Sequence, residues 1–226
     1  MQVVDRYGIV YGVDRIQINS ADGRQKPSSI NYGLFTQTSR SVPVTNTTQE
    51  QSLIYVNFET RVDNDGGVTE SMSCMDPSLR YYGSVGGLSV PANTFRVGDS
   101  FFAVATGYLS AVNNHTLQIR IKSDGVVLAD TGVISMSSAT NKHWKLDIYF
   151  TVRTLGGPGV ASIATGGTFV YTKDASNSFE GTNFSTETFT GFDTTIDNTL
   201  VVTAQWGTAS TGDIISSQVF TLTKTF

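Results

Sequence analysis

Cysteine and histidine are nearly missing from this sequence, which holds one cysteine, Cys74, and two histidines, His115 and His143. A lone cysteine makes no intramolecular bridge, so no disulfide framework is expected and a buried thiol is its ordinary state. Two histidines exclude a three-histidine metal site, and Cys74 supplies no zinc ligand set. No serine sits in a Gly-x-Ser-x-Gly elbow, so neither histidine has a nucleophile in motif context; both are expected to flank strands at loop edges. The sequence therefore predicts no catalytic residue, no metal and no cofactor.

Apolar runs are short as well. No stretch of about 18 apolar residues is present to span a bilayer, and the N-terminus lacks the charged and apolar regions of a secretion signal, which predicts a soluble protein made in a cytosol without membrane insertion. Charge is scarce: Asp, Glu, Lys and Arg make up 15 % of the chain, against roughly 25 % in an average soluble protein. Much of the polar surface must then be Ser, Thr, Asn and Gln, whose ordering in a contact costs less side-chain entropy than that of Lys or Glu. Such a surface suits dense assembly, and it suits an ordinary extracellular β protein equally.

The net charge of -4 argues against nucleic-acid binding, which needs clustered Lys and Arg. Its distribution is uneven. Residues 1–42 carry Arg6, Arg15, Arg24, Lys26 and Arg40 against Asp5, Asp14 and Asp22, a balance of +2, whereas the remainder carries -6.

Helix-forming runs of Ala, Leu, Glu and Lys are also absent, and short Thr- and Val-rich stretches separated by some of the 22 glycines take their place. In "HTLQIRIKSDGVVLADTG", Leu117, Ile119 and Ile121 alternate with Gln118, Arg120 and Lys122, and Ser123-Asp124-Gly125 supplies turn chemistry, which predicts a hairpin. In "HWKLDIYFTVRT", Trp144, Leu146, Ile148, Phe150 and Val152 alternate with Lys145, Asp147, Tyr149, Thr151 and Arg153, the pattern of a strand that buries one face. The closing "NTLVVTAQWGTASTGDIISSQVFTLTKTF" places Val202, Ala204 and Trp206 on one side, then Phe220 and Leu222 after a polar connection, and reads as a second hairpin. Trp144 and Trp206 are expected to anchor the core. About eight such strands, with turn signals every ten or so residues, describe an all-β antiparallel sandwich or barrel.

Other motifs carry less. "DNDGG" at 63–67 offers oxygen ligands but no later bidentate glutamate, so a solvated turn is expected rather than a calcium loop. The glycine-rich pieces "GGLSVPANTFRVGDS" and "RTLGGPGVASIATGG" lack the strand-to-helix setting of a phosphate cradle and read as turns. Sequons at Asn46, Asn114 and Asn183 are expected by chance in a chain this rich in Ser and Thr.

Taken together, "VTNTTQEQSLI", "GGLSVPANTFRVGDSFFAVATGYLS", "LQIRIKSDGVVLADTG", "HWKLDIYFTVRTLG" and "DTTIDNTLVVTAQWGTAS" followed by "ISSQVFTLTK" resemble, in order and spacing, a family of virion structural proteins of tailed phages and large DNA viruses. The resemblance covers residues 43–226. It implies a single jelly roll, often trimeric, in a capsid spike, decoration or fibre-like role, and it brings no catalytic residue. Residues 1–42 have no counterpart and read as an extended N-terminal arm; the segment near 55–84 is longer than the pattern expects and reads as an insertion loop. On this view the protein is a homotrimer in the virion, assembled in the host cytoplasm, whose arm docks through Arg6, Arg15, Arg24, Lys26 and Arg40 onto other capsid or tail proteins. The alternative is a host-attachment spike that recognises surface glycans through Tyr55, Tyr81 and Tyr82. A polysaccharide-degrading enzyme needs a carboxylate pair across a groove, and no such pair stands out.

Overall fold

The residues that alternate in sequence separate cleanly into buried and solvent-facing sets. Leu117, Ile119 and Ile121 are fully buried, as are Trp144, Leu146, Ile148 and Val152, each aliphatic side chain among them contributing about 1.5–3 kcal/mol relative to exposure. Both tryptophans are core anchors with satisfied indoles: Trp144 Nε1 donates to the Ser216 carbonyl at 3.2 Å and Trp206 Nε1 to the Val44 carbonyl at 3.0 Å.

A computed structural model describes residues 32–54 and 84–225, with side chains over 33–54 and 87–225. It also describes three pairs of short strands, Val3–Val4 with Val10–Tyr11, Gln17–Asn19 with Gln25–Pro27, and Glu59–Val62 with Val68–Ser71. Ten strands carry the architecture: β1 Tyr32–Gln37, β2 Ser89–Val90, β3 Ser100–Ala111, β4 Thr116–Ser123, β5 Val126–Asp130, β6 Ala139–Thr154, β7 Ser162–Thr172, β8 Phe179–Thr188, β9 Asn198–Trp206 and β10 Ile214–Lys224. Among the described residues the only helical turn is Ala175–Asn177.

Strand β1 pairs with β10, β2 with β9, β3 with β6 and β4 with β5, all antiparallel. These nested pairs form one long ribbon. Wrapping it brings β10 against β3 and β9 against β4, which produces two sheets in the orders β1-β10-β3-β6 and β2-β9-β4-β5. That is the antiparallel jelly-roll sandwich of eight strands. The hairpin β7–β8 then extends the first sheet beyond β6, and its far end reaches the second sheet, where Thr188 Oγ1 donates to the Leu128 carbonyl at 3.1 Å.

Local chemistry sets the corners. The β4–β5 turn places Asp124 at φ 45° and Gly125 at φ 89°, the two positive angles of a tight hairpin whose twist matches its strands. Opposite Gly107, β10 carries an extra residue: Thr106 pairs with Val219 but Gly107 with Ser217. This bulge presses the backbones together, and a Cβ on Gly107 would lie 2.0 Å from the Ser216 carbonyl oxygen; the same carbonyl receives the Trp144 indole. Asn114, one of the three sequon asparagines, sits at φ 64° in the β3–β4 turn, where Asn is favoured for its tolerance of the left-handed region.

Two expectations are corrected. The closing segment is not a hairpin: β9 lies in the short sheet and β10 in the long one, so residues 207–213 cross between layers. Alternation and a polar connection are common to both arrangements, and only the partner strands distinguish them. The segment 1–42 expected as an arm also contains a strand of the body, β1. β1 is hydrogen-bonded into the long sheet beside β10, and Ser41 continues that contact with its backbone N–H on the Ser217 carbonyl at 2.9 Å. Within the segment read as an insertion loop, Glu59–Val62 pairs with Val68–Ser71, and Ser84–Gly86 joins the edge of the long sheet beside β1.

Candidate interaction surface

Each sheet buries one face and shows the other, and the two outward faces differ in chemistry. On the short sheet, β4 and β9 project Gln118, Arg120, Lys122, Thr203 and Gln205 from adjacent registers. Arg120 donates to the Gln205 side-chain oxygen at 2.7 Å, to that of Gln118 at 2.6 Å and to Glu50 at 3.2 Å, and lies 3.4 Å from Asp130. Glu50 also receives Lys122 and the Thr203 hydroxyl, each at 2.5 Å. Burial pushes the Glu50 carboxyl up, but the bonds from Lys122 and Thr203 and the charges of Lys122 and Arg120 outweigh it and hold the group below its ordinary 4.5. This network fastens the strap at Glu50 across the sheet, beside the short strand Gln51–Ser52 that pairs with β9.

The long sheet presents the opposite character. Along β3 the outward residues are Phe102, Val104, Thr106 and Tyr108, and along β10 they are Val219, Thr221 and Thr223, with no charge among them. Phe102 stacks on Tyr149 of β6 with ring centroids 4.8 Å apart. Tyr149, Tyr108 and Val219 remain 57 %, 47 % and 45 % exposed. Charge enters along β6 and, beyond it, on β8. Lys145 and Asp147 neutralise one another at 2.7 Å, and Arg153 pairs with Glu187 at 2.7 Å. The second Asp147 oxygen is buried without a hydrogen-bond partner among the described residues. A neutral face bearing exposed tyrosine and valine, with charge depleted at its centre, has the composition of a protein contact.

The two histidines differ in setting. His115 Nδ1 lies 2.6 Å from Oδ2 of the fully buried Asp213, whose Oδ1 accepts the Val112 backbone N–H at 2.9 Å. The carboxylate thus fastens the β3–β4 turn to the crossing between β9 and β10. His143 is exposed on β6. Among the described residues no group of three or more His, Cys, Asp and Glu is arranged to hold a metal, and no helix is long and apolar enough to cross a membrane.

Most of the residues singled out from sequence fall outside the described ones: Arg6, Arg15, Arg24, Tyr55, Tyr81 and Tyr82, with Cys74 and residues 63–67. Lys26 lies in the short strand Gln25–Pro27, its side chain outside the description. Arg40 is exposed just ahead of the buried Ser41. The signal of the neutral face in the sequence is Tyr149, an aromatic at a solvent-side position of β6. No protein-family model and no curated protein matches the chain.

Proposed function

We propose that this protein is a non-enzymatic structural component of a virus particle, a jelly roll that assembles with copies of itself as a homotrimer and docks onto other capsid or tail proteins through its basic N-terminal segment. The observation that carries the assembly is the neutral outer face of the long sheet. Copies that each carry a net charge of -4 repel one another in most orientations, and they approach at least cost where the facing surfaces hold no unpaired charge and offer aromatic area to bury. The virion setting rests on the sequence resemblance, and the wrapped ribbon of nested strand pairs agrees with it. Docking falls to the residues before Tyr32, because from there on the chain is part of the sheet.

Light scattering on the purified full chain tests the assembly. The expected mass is three times the 24.3 kDa of one chain, and Tyr149→Lys combined with Val219→Lys is expected to give a monomer with unchanged β circular dichroism. A monomer at high micromolar concentration, or a trimer indifferent to both substitutions, overturns the reading. For docking, removal of residues 1–31 is expected to abolish incorporation into particles while the body stays folded; normal incorporation rejects that role. Cutting at 42 is the wrong experiment, since it deletes β1 from the sheet.

A further inference from the structure

Three connections meet at one end of the sandwich, 91–99, 155–161 and 189–197, and backbone bonds lock them together: Gly159 N–H to the Phe189 carbonyl at 2.9 Å, Thr194 N–H to the Gly156 carbonyl at 2.9 Å and Asn93 N–H to the Thr194 carbonyl at 2.8 Å. Val97, Leu155, Val160, Phe189 and Ile196 stand on these loops between 42 % and 64 % exposed. Together they make an apolar end that the described residues leave uncovered, and apolar area left in water favours an occupant.

This end is also short of positive charge. Lys224 is taken by Asp99 at 2.8 Å, and Arg96 is engaged as well. Asp124, Asp193 and Asp197 accept the backbone N–H groups of Thr199, Thr195 and Ala92 at 2.9, 2.8 and 2.8 Å, and have no cation partner among the described residues. An occupant that brings apolar side chains together with Arg or Lys fits here, and one that brings acids does not.

The chain delivers such an occupant to this place. Tyr32 pairs with Lys224, which in turn pairs with Phe101 at the start of β3, just past the connection 91–99. The residues before Tyr32 therefore join the body at the apolar end. From β1 across β10, β3 and β6 to the connection 155–161 is three to four strand spacings, about 15–20 Å, which about six extended residues span. Residues 1–31 carry Val3, Val4, Ile9, Val10, Ile16 and Ile18 among their apolar side chains, and Arg6, Arg15, Arg24 and Lys26 against three acids. The body leads into residues 55–83 toward the same end, Gln51 pairing with Ala204 and Leu53 N–H bonding to the Val202 carbonyl. That segment, however, holds five acids against Arg61 and Arg80, so charge selects residues 1–31.

We infer that residues 1–31 seat on the loop end of their own body, laying apolar side chains over Val160, Phe189 and Ile196 and bringing basic ones to Asp193 and Asp197. The contact belongs to the free protein and stands whether or not the same segment docks onto other proteins of a particle. Limited trypsin digestion of the full chain, with the released peptides weighed by mass spectrometry, reads it at Arg15 and Arg24. Cleavage there is expected to be about tenfold faster in Val160→Ser combined with Ile196→Ser, because cutting follows the population of the released segment and two apolar partners are lost. Both positions are more than half exposed, so the melting temperature of the body is expected to hold. Asp193→Asn with Asp197→Asn, which keeps an oxygen for the Thr195 and Ala92 N–H groups, is expected to speed cleavage about twofold. Equal cleavage of the wild type and both variants overturns the inference. So does protection that falls on Arg61 and Arg80 instead, which would seat residues 55–83 there, or protection lost on dilution, which would make a second copy's segment the occupant.

Discussion

The outer faces of the two sheets are built on the same strand geometry and use it to opposite ends. On the short sheet, Arg120, Lys122 and Glu50 spend their charges on one another and on Gln118, Gln205, Asp130 and Thr203, so the charged centre of the face is satisfied within the molecule. On the long sheet, Tyr108, Tyr149 and Val219 leave apolar area exposed among the described residues, with Phe102 stacked against Tyr149. A face that completes its own interactions contributes to stability; a face that leaves them open has area to offer a partner.

Substitutions separate the two roles. The largest effect is expected beneath the open face, where Gly107→Ala forces a Cβ to within 2.0 Å of the Ser216 carbonyl oxygen. Urea unfolding should show a loss of about 3 kcal/mol or more, since the β10 backbone at Ser216 and Ser217 must shift. At the junction between the sheets, Asp213→Ala strands the Val112 N–H and removes the partner of His115, and a loss of about 2 kcal/mol is expected in the same measurement.

On the finished face, Glu50→Gln is expected to cost about 1 kcal/mol at neutral pH, discounted for the partial exposure of the network. Because the folded carboxyl is held below its ordinary 4.5, its contribution is fully present above that value and is lost as pH falls through the folded one. The difference between wild type and Glu50→Gln should therefore close on acidification; a difference that persists at the acid end contradicts the network's role. The smallest effect on stability belongs to the open face, where Tyr149→Ser should change the unfolding free energy by less than about 0.5 kcal/mol while lowering the associated mass seen by light scattering.

Facing was legible in advance, and partnership was not. The inward sets on β4, β6 and β9 follow from alternation alone, because successive side chains on an extended backbone point to opposite sides. β8 carries little periodic signal in the sequence, since Phe184 and Thr188 are its buried residues and Phe179 stands 77 % exposed. The neutral face was half legible: an aromatic at a solvent-side position is visible in the string, but its stack with Phe102 requires β3 and β6 to be neighbours. The Asp213–His115 contact joins positions 98 apart, with nothing local to pair them.

By itself the sequence determined that the chain is β, where its turns fall and which side of most strands goes inward, because these follow from the backbone's two-residue period and the cost of leaving apolar groups in water. The tertiary structure decided which strands pair, that the last two lie in different sheets, and that Tyr32–Gln37 belongs to the long sheet. Strand pairing uses backbone N–H and C=O groups that every residue except proline carries alike, so a strand does not encode its partner. Only the wrapping of the whole ribbon chooses it.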